Sequence, residues 1–584
     1  MKQIWIYLKN YKMETVLAPL FKMLEACFEL CVPLVIAAIT DVGIAGQDKG
    51  YVTKMGGILF LLAFVGLVCS AIAQYFSARA AVGVAARLKH GLFKHIQSLS
   101  FTEVDGVGTS TLITRMTSDV NQVQSGVNMF LRLFLRSPFI VFGAMFMAFT
   151  INVEVALIFV VTIIVLSIVV FAIILYSIPM HKKVQAALDK VLGSTRQNLT
   201  GARVIRAFGM EEKEIEEYTS RTEAHTGLQM AVGRITALMN PVTLFIVNVA
   251  TIVLIWSGAI KVDTGILTQG QVLALVNYMS QILVELVKLA NLIVTLTKAV
   301  ACGNRIKTVF DIESSMVDGD LSGADAQYQE GTNSEYAVEF IDAALTYKGA
   351  SEESLTGLNF SIKKGQTIGI IGGTGAGKSS LVQMIPRFYD ASSGIVKVNG
   401  RDVKSYRLDD LRSKVGIVMQ KAVLFAGTIK ENLLWGKADA TEAEIYEALD
   451  IAQAREFVDK KDGGIDAIIE QGGRNLSGGQ RQRLNIARAV IRKPEILILD
   501  DSSSALDYAT DAKLRKSLKS ISDNGNTTVI IVAQRATAIM HADSIIVLDD
   551  GAVSGIGTHQ ELMETNEVYR EIYTSQNSLE EAAL

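Results

Sequence analysis

Residues 367 to 382 read T-I-G-I-I-G-G-T-G-A-G-K-S-S-L-V. Thr367 to Ile371 is a short aliphatic run of the kind that forms a buried strand. Gly372, Gly373, Thr374, Gly375, Ala376 and Gly377 make a glycine-rich loop, and Lys378, Ser379, Ser380, Leu381 and Val382 open a helix. A strand, a glycine loop and a helix start in that order let successive backbone N–H groups wrap a phosphate. Lys378 is placed to reach the β and γ phosphate oxygens, and the Ser379 hydroxyl to complete a Mg²⁺ shell. Further along, the aliphatic strand Ile496 to Leu499 ends on Asp500, a second acidic partner for that metal. A nucleotide with Mg²⁺ is therefore expected. The loop alone leaves kinase and GTPase open.

The surroundings are not those of a soluble enzyme. A chain of 584 residues is too long for one compact domain, and 50% hydrophobic residues with a mean hydropathy of +0.32 are too apolar for an ordinary soluble one. Val155 to Met180, Met55 to Ala78 and Ala237 to Ile260 carry no charge, and each exceeds the ~20 residues that cross a bilayer. Three weaker stretches bring the expected spans to six: about 16 to 40 with Glu25 and Glu29, about 129 to 152 over Arg132 and Arg136, and about 264 to 292 with Glu285 and Lys288. Two excursions of about fifty residues, rich in Lys and Arg, follow the second and fourth spans. By the positive-inside bias they are cytoplasmic, and so are both termini.

A charge inside a span is costly unless it has a partner or faces a cavity. Glu25 and Glu29 share a helix face, as do Arg132 and Arg136. Either these groups pair with neighbouring helices or sit near a membrane edge, or they contact a substrate. The net charge of −3, without a basic tract, argues against nucleic acid as a partner. Four cysteines give no disulfide framework, and Cys27 and Cys31 read as packing thiols. Met1 to Lys12 lacks an apolar core with a cleavage site, so no signal peptide is expected.

Ser314 to Ser334 is rich in Gly, Ser, Asp and Gln and reads as a linker. The expected organisation is a membrane domain over 1–312, a linker over 313–335 and an α/β domain with a largely parallel core sheet over 336–584. Residues 336 to 348 and 357 to 368 suggest an added antiparallel layer.

At 475 to 483 the chain reads N-L-S-G-G-Q-R-Q-R and runs into a helix whose first N–H groups point back over the glycines. The stretch resembles the signature of ATP-binding-cassette transporters. Tyr347 ahead of the first strands, Gln420, Glu470 to Arg474 and S-A-L-D at 504 to 507 follow in the order that family uses. R-M-T-S-D-V at 115 to 120 and G-A-R-V-I-R-A-F-G-M-E-E-K-E at 201 to 214 resemble intracellular segments of its exporter branch. Phe101 to Ser110 and about 208 to 218 resemble the short coupling helices that dock on cassettes. Trp5, Ile6 and Leu8 among Lys2, Lys9 and Lys12 suggest an elbow helix at the inner interface.

The resemblance implies two cassettes sandwiching two ATP molecules, with Ser477, Gly478, Gly479 and Gln480 of one chain closing the phosphate loop of the other. It implies Tyr347 on the nucleotide and Gln420 near the metal with Ser379 and Asp500. Two positions depart from the family. Asp501 stands where a glutamate orients the attacking water, and Gln534 where a histidine contacts the γ-phosphate. Asp501 is shorter by roughly 1.5 Å, and Gln534 cannot carry a proton. The expectation is a chain that binds ATP and hydrolyses it slowly, pairing with a different half-transporter to move an apolar or amphipathic compound out of a bacterial cell across the plasma membrane. A slow homodimer, an engineered trap, an importer with an exporter fold and an ATP-gated conduit are the alternatives.

Overall fold

The computed structural model describes residues 6–321, 334–502, 505–525 and 527–581, with side chains as far as Gln576. Trp5 of the elbow segment, Ser504 of the S-A-L-D run and 322–333 of the linker lie outside the described residues. Two compact units form: Met1–Gln97 with Ser110–Ile312, and Ser98–Thr109 with Glu313–Leu584.

The first unit is helical. Its main elements are α1 (Lys12–Ala38), α2 (Lys49–Ser98), then, past α3 (Phe101–Val107) of the second unit, α4 (Val120–Leu133), α5 (Arg136–Ile151), α6 (Val153–Thr200), α7 (Glu211–Ala237), α8 (Met239–Asp263) and α9 (Gln269–Phe310). Six stretches among the described residues are long and apolar enough to cross a membrane: Ile6–Ile44, Lys49–Ser98, Thr109–Ile151, Val153–Thr200, Glu211–Asp263 and Gln269–Phe310. Large apolar side chains such as Phe60 and Trp256 are exposed, as a lipid-facing surface requires. The expected polar excursions are not loops. The 50 residues of α2 and the 48 of α6 run on without a break, far past the ~20 needed to span, and at ~1.5 Å per residue α2 is about 75 Å long.

The charges in the weaker spans form a cluster. Arg136, 6% exposed, donates from Nη1 to Glu285 Oε1 at 2.5 Å and from Nη2 to Glu29 Oε2 at 2.6 Å, with Glu25 Oε1 3.9 Å away. Ser137 Oγ donates to Glu285 Oε2 at 2.8 Å, and Lys288 Nζ to Glu285 Oε1 at 2.8 Å. Lys22 Nζ donates to Glu25 Oε2 at 2.5 Å and to Ser70 Oγ at 3.0 Å. Pairing between helices therefore accounts for Glu25, Glu29 and Arg136. It does not account for Arg132, whose Nε is buried without a hydrogen-bond partner. Removing one member of a buried ion network leaves charge uncompensated. Arg136→Gln is expected to cost roughly 3–5 kcal/mol and to lower the thermal unfolding midpoint of the purified chain. Adding Glu285→Gln should recover part of it, and strictly additive losses would show that the two groups are not coupled.

The second unit is layered. A four-stranded antiparallel sheet, ordered β2-β1-β4-β5, uses β1 (Tyr336–Leu345), β2 (Leu355–Lys363), β4 (Ser393–Val398) and β5 (Arg401–Asp402). A six-stranded sheet, ordered β10-β9-β3-β8-β7-β6, uses β3 (Thr367–Gly372), β6 (Val415–Val418), β7 (Ile496–Asp500), β8 (Thr528–Val532), β9 (Ser544–Asp549) and β10 (Ala552–Gly557). All its pairs are parallel except β9 with β10. Strands β3 and β7 are buried along their whole length, as parallel strands covered on both faces must be. The start of the expected linker is not free chain. Gly319 N–H donates to Tyr406 O at 3.1 Å, Leu321 N–H to Ser405 O at 3.1 Å, and Asp318 Oδ1 accepts from Leu408 N–H at 2.7 Å.

Candidate functional site

The register of the parallel sheet builds the site. Val532 of β8 is level with Ile370 of β3 and with Asp500 of β7, and Val418 of β6 with Leu499. The four carboxyl ends are thus in line, where open α/β sheets place their ligands. From β3 comes the phosphate loop, from β8 Gln534, from β7 Asp500 and Asp501, and from β6 Gln420. Residues far apart in the chain meet because the strands are neighbours.

The loop leads into α10 (Lys378–Met384), and Gly375 and Gly377 take φ +90° and +86°, a region that favours glycine. A Cβ on Gly377 would lie 2.6 Å from Leu355 Cδ2, whereas one on Gly373 would meet nothing within 4 Å. The loop is therefore braced on one side and open on the other. Lys378 Nζ donates to Gly372 O at 2.8 Å and Gly373 O at 2.7 Å, lying across the mouth of the loop. Ser379 Oγ donates to Asp500 Oδ1 at 2.9 Å. Burial holds the Lys378 ammonium below the ordinary lysine value despite Asp501 and Asp500 nearby. Burial also pushes the Asp500 carboxyl above the usual aspartate range, opposed by the Ser379 hydrogen bond and helped by Asp501. Two adjacent buried carboxylates with one lysine leave the site short of positive charge. A divalent cation beside Ser379 and Asp500 fits that shortage, and phosphates fit the open loop.

Asp501 sits at φ +47°, with its N–H donating to Val532 O at 3.0 Å. An aspartate tolerates that left-handed backbone better than most residues. Its Oδ2 accepts from Gln534 Nε2 at 2.6 Å and from Gln420 Nε2 at 3.2 Å. The acid is turned toward two amides, neither of which can take a proton. Tyr347 lies at the other end of the loop, its hydroxyl 2.8 Å from Ser380 Oγ.

Sequence reading did not find Tyr389. Its ring meets Tyr347 edge-on at 5.1 Å, and its hydroxyl donates to Asp105 Oδ2 on α3 at 2.6 Å, while Phe101 of α3 stacks on Phe388 at 4.5 Å. The first segment read as a coupling helix is thus seated on the cassette beside Tyr347. The only signal in the sequence was the adjacent aromatic pair Phe388-Tyr389. The second segment, about 208 to 218, leaves Phe208 exposed in the chain. Ser477 caps α11 (Gly478–Val490): its Oγ accepts from Gln480 N–H at 3.2 Å, and Gln480 Oε1 accepts from Ser477 N–H at 3.0 Å. Ser477 and Gly478 are exposed. The signature is complete and turned outward.

The family description "ABC transporter transmembrane region" matches residues 15–286, and "ABC transporter" matches residues 355–504. The chain belongs to the ABC transporter family. It is 34% identical over 579 residues to an uncharacterized ABC transporter ATP-binding protein, YfiB, of Bacillus subtilis, covering 99% of this chain and 98% of the relative. It is 30% identical to a putative multidrug export ATP-binding/permease protein, YgaD, of Bacillus subtilis (99% of each chain), and 26% identical to an ATP-dependent lipid A-core flippase of Vibrio vulnificus (98% of this chain, 97% of the relative). A bacterial Atm1-family ABC exporter solved with ATP bound shares the fold, with a TM-score of 0.80 at 22% identity over 97% of this chain and 98% of that one. This ABC transporter is of the exporter type, a multi-pass protein of the plasma membrane whose ATP-binding domain implies ATPase activity.

Proposed function

We propose that this ABC transporter is one half of a heterodimeric exporter, that its own phosphate loop holds ATP with Mg²⁺ and hydrolyses it slowly, and that its signature completes the competent site on a different half. The observation that carries this reading is the state of Asp501. Its carboxylate is engaged by Gln534 and Gln420, while the loop, Lys378, Ser379, Asp500 and the signature all stand ready. Loss of a positioned general base costs ~10²–10⁴ in rate; loss of binding groups would have touched the loop as well. The cargo supported by the apolar helices and by the relatives' printed roles is an apolar or amphipathic compound.

The test is stoichiometric. The purified chain should bind ATP and turn over little, and turnover should appear when the partner half is added. Vigorous hydrolysis by the chain alone would sink the heterodimer.

A further inference from the structure

Strand β8 leaves the sheet after Val532, and the chain passes through Ala533, Gln534 and Arg535 into the short helical turn Ala536–Ala538. Gln534 Nε2 donates to Asp501 Oδ2 at 2.6 Å. Its amide therefore lies at the end of the site that holds Asp500 and Ser379, where the metal and the terminal phosphate belong, and not at the Tyr347 end. An amide carried on a bend outside the sheet keeps its place only if the backbone beneath it is held.

The support comes from 42 residues further along the chain. In α12 (Glu567–Glu581), Gln576 Nε2 donates to Gln534 O at 2.8 Å, and Gln576 Oε1 accepts from Ala536 N–H at 2.9 Å. One side-chain amide thus closes on both sides of Arg535, as one residue of a parallel strand would. The match has a polarity: turned over, the amide would set donor against donor and acceptor against acceptor. Tyr569, Ile572, Tyr573 and Gln576 follow one another at i, i+3, i+4 and i+7, on one face of α12. Tyr569 is fully buried, and with Ile572 and Tyr573 it packs in the cluster that holds Ile371, Ala533 and Ala536. Ile371 leads into the phosphate loop, and Ala533 precedes Gln534. Apolar contacts therefore fix α12 against the segments that carry the loop and Gln534, and Gln576 extends that fixed position to the backbone of 534–536.

We propose that Gln576 is a positioning residue of the ATP site, holding the backbone on both sides of Arg535 so that the Gln534 amide stays at the γ-phosphate end of the loop. Gln576 acts through Gln534. The inference rests on the reading that the loop holds ATP, and not on the heterodimer or on the rate at which this site turns over. Without the two bonds the bend after β8 is held at fewer points, so a contact from Gln534 to a terminal phosphate weakens. The contacts of the loop itself with the inner phosphates stay.

The test uses the full chain in detergent and compares equilibrium binding of ADP and of the non-hydrolysable analogue AMP-PNP, each with Mg²⁺. Gln576→Met keeps the length of the side chain and the helix while removing both hydrogen bonds. It should weaken AMP-PNP about fivefold or more and leave ADP within about twofold. Gln534→Ala should weaken AMP-PNP at least as much, and adding Gln576→Met to it should change the affinity no further, because the two residues act in series. A merely structural role for Gln576 would weaken both nucleotides alike. That result, an unchanged AMP-PNP affinity in Gln576→Met, or a full additional loss in the Gln534→Ala background would overturn the proposal. ADP binding by the wild-type chain reports the loop by itself, so a loop that holds no nucleotide would show there and not in the comparison of variants.

Discussion

Ser477→Arg is expected to reduce ATP hydrolysis by the assembled pair of halves by roughly 10²-fold or more. Ser477 is exposed at the start of α11, and on the proposed heterodimer an arginine there would put bulk and a competing cation where the partner's γ-phosphate would sit. The phosphate loop, Asp500 and Asp501 of the same chain stay as they are. Asp501→Asn should cost far less, because its carboxylate is already engaged by Gln534 and Gln420. Ser477→Ala separates packing from capping. It loses a helix cap worth about 1 kcal/mol but adds no obstruction, so it should fall well short of the arginine effect. Steady-state ATPase rates of the three variants decide the matter, and equal losses for Ser477→Arg and Asp501→Asn would show that the competent site has been assigned to the wrong half.

Restoring Asp501→Glu together with Gln534→His is expected to accelerate hydrolysis at this chain's own site by about 10²–10⁴. The added methylene carries the carboxylate roughly 1.5 Å further, past the amide that now holds it at 2.6 Å, and a histidine can donate to the γ-phosphate and carry a proton. Both changes are made together, since a glutamate alone restores the reach of the carboxylate but leaves at 534 an amide that cannot carry a proton. ATP retained at a slow site favours whichever conformation binds it best, by linkage. The spacing between cassettes with ATP present, read by spin labels, should therefore lengthen in the restored chain. Faster hydrolysis with an unchanged distance distribution would refute the idea that retained ATP holds the cassettes together.

What could be read directly from the sequence is what consecutive residues make by themselves. The glycine loop after β3 binds through its own backbone, the Ser477 cap joins residues three apart, and a bilayer imposes its length on each apolar run. Asp501 and Gln534 could be named as departures because each follows an aliphatic strand at a position where the family that the chain resembles carries a glutamate and a histidine. That one holds the other was not legible, since it depends on β7 and β8 being neighbours in register. The long excursions gave too little apolar periodicity to be recognised as unbroken helix. The charges of the weaker spans were visible one at a time, but their pairing was not: Arg136 is 107 residues from Glu29 and 149 from Glu285. Only packing of α1, α5 and α9 brings those groups within 2.6 Å. Local backbone chemistry and the length of the bilayer act on short stretches of chain and can be read along it; electrostatic compensation acts through space, and where it is satisfied is decided by which helices touch.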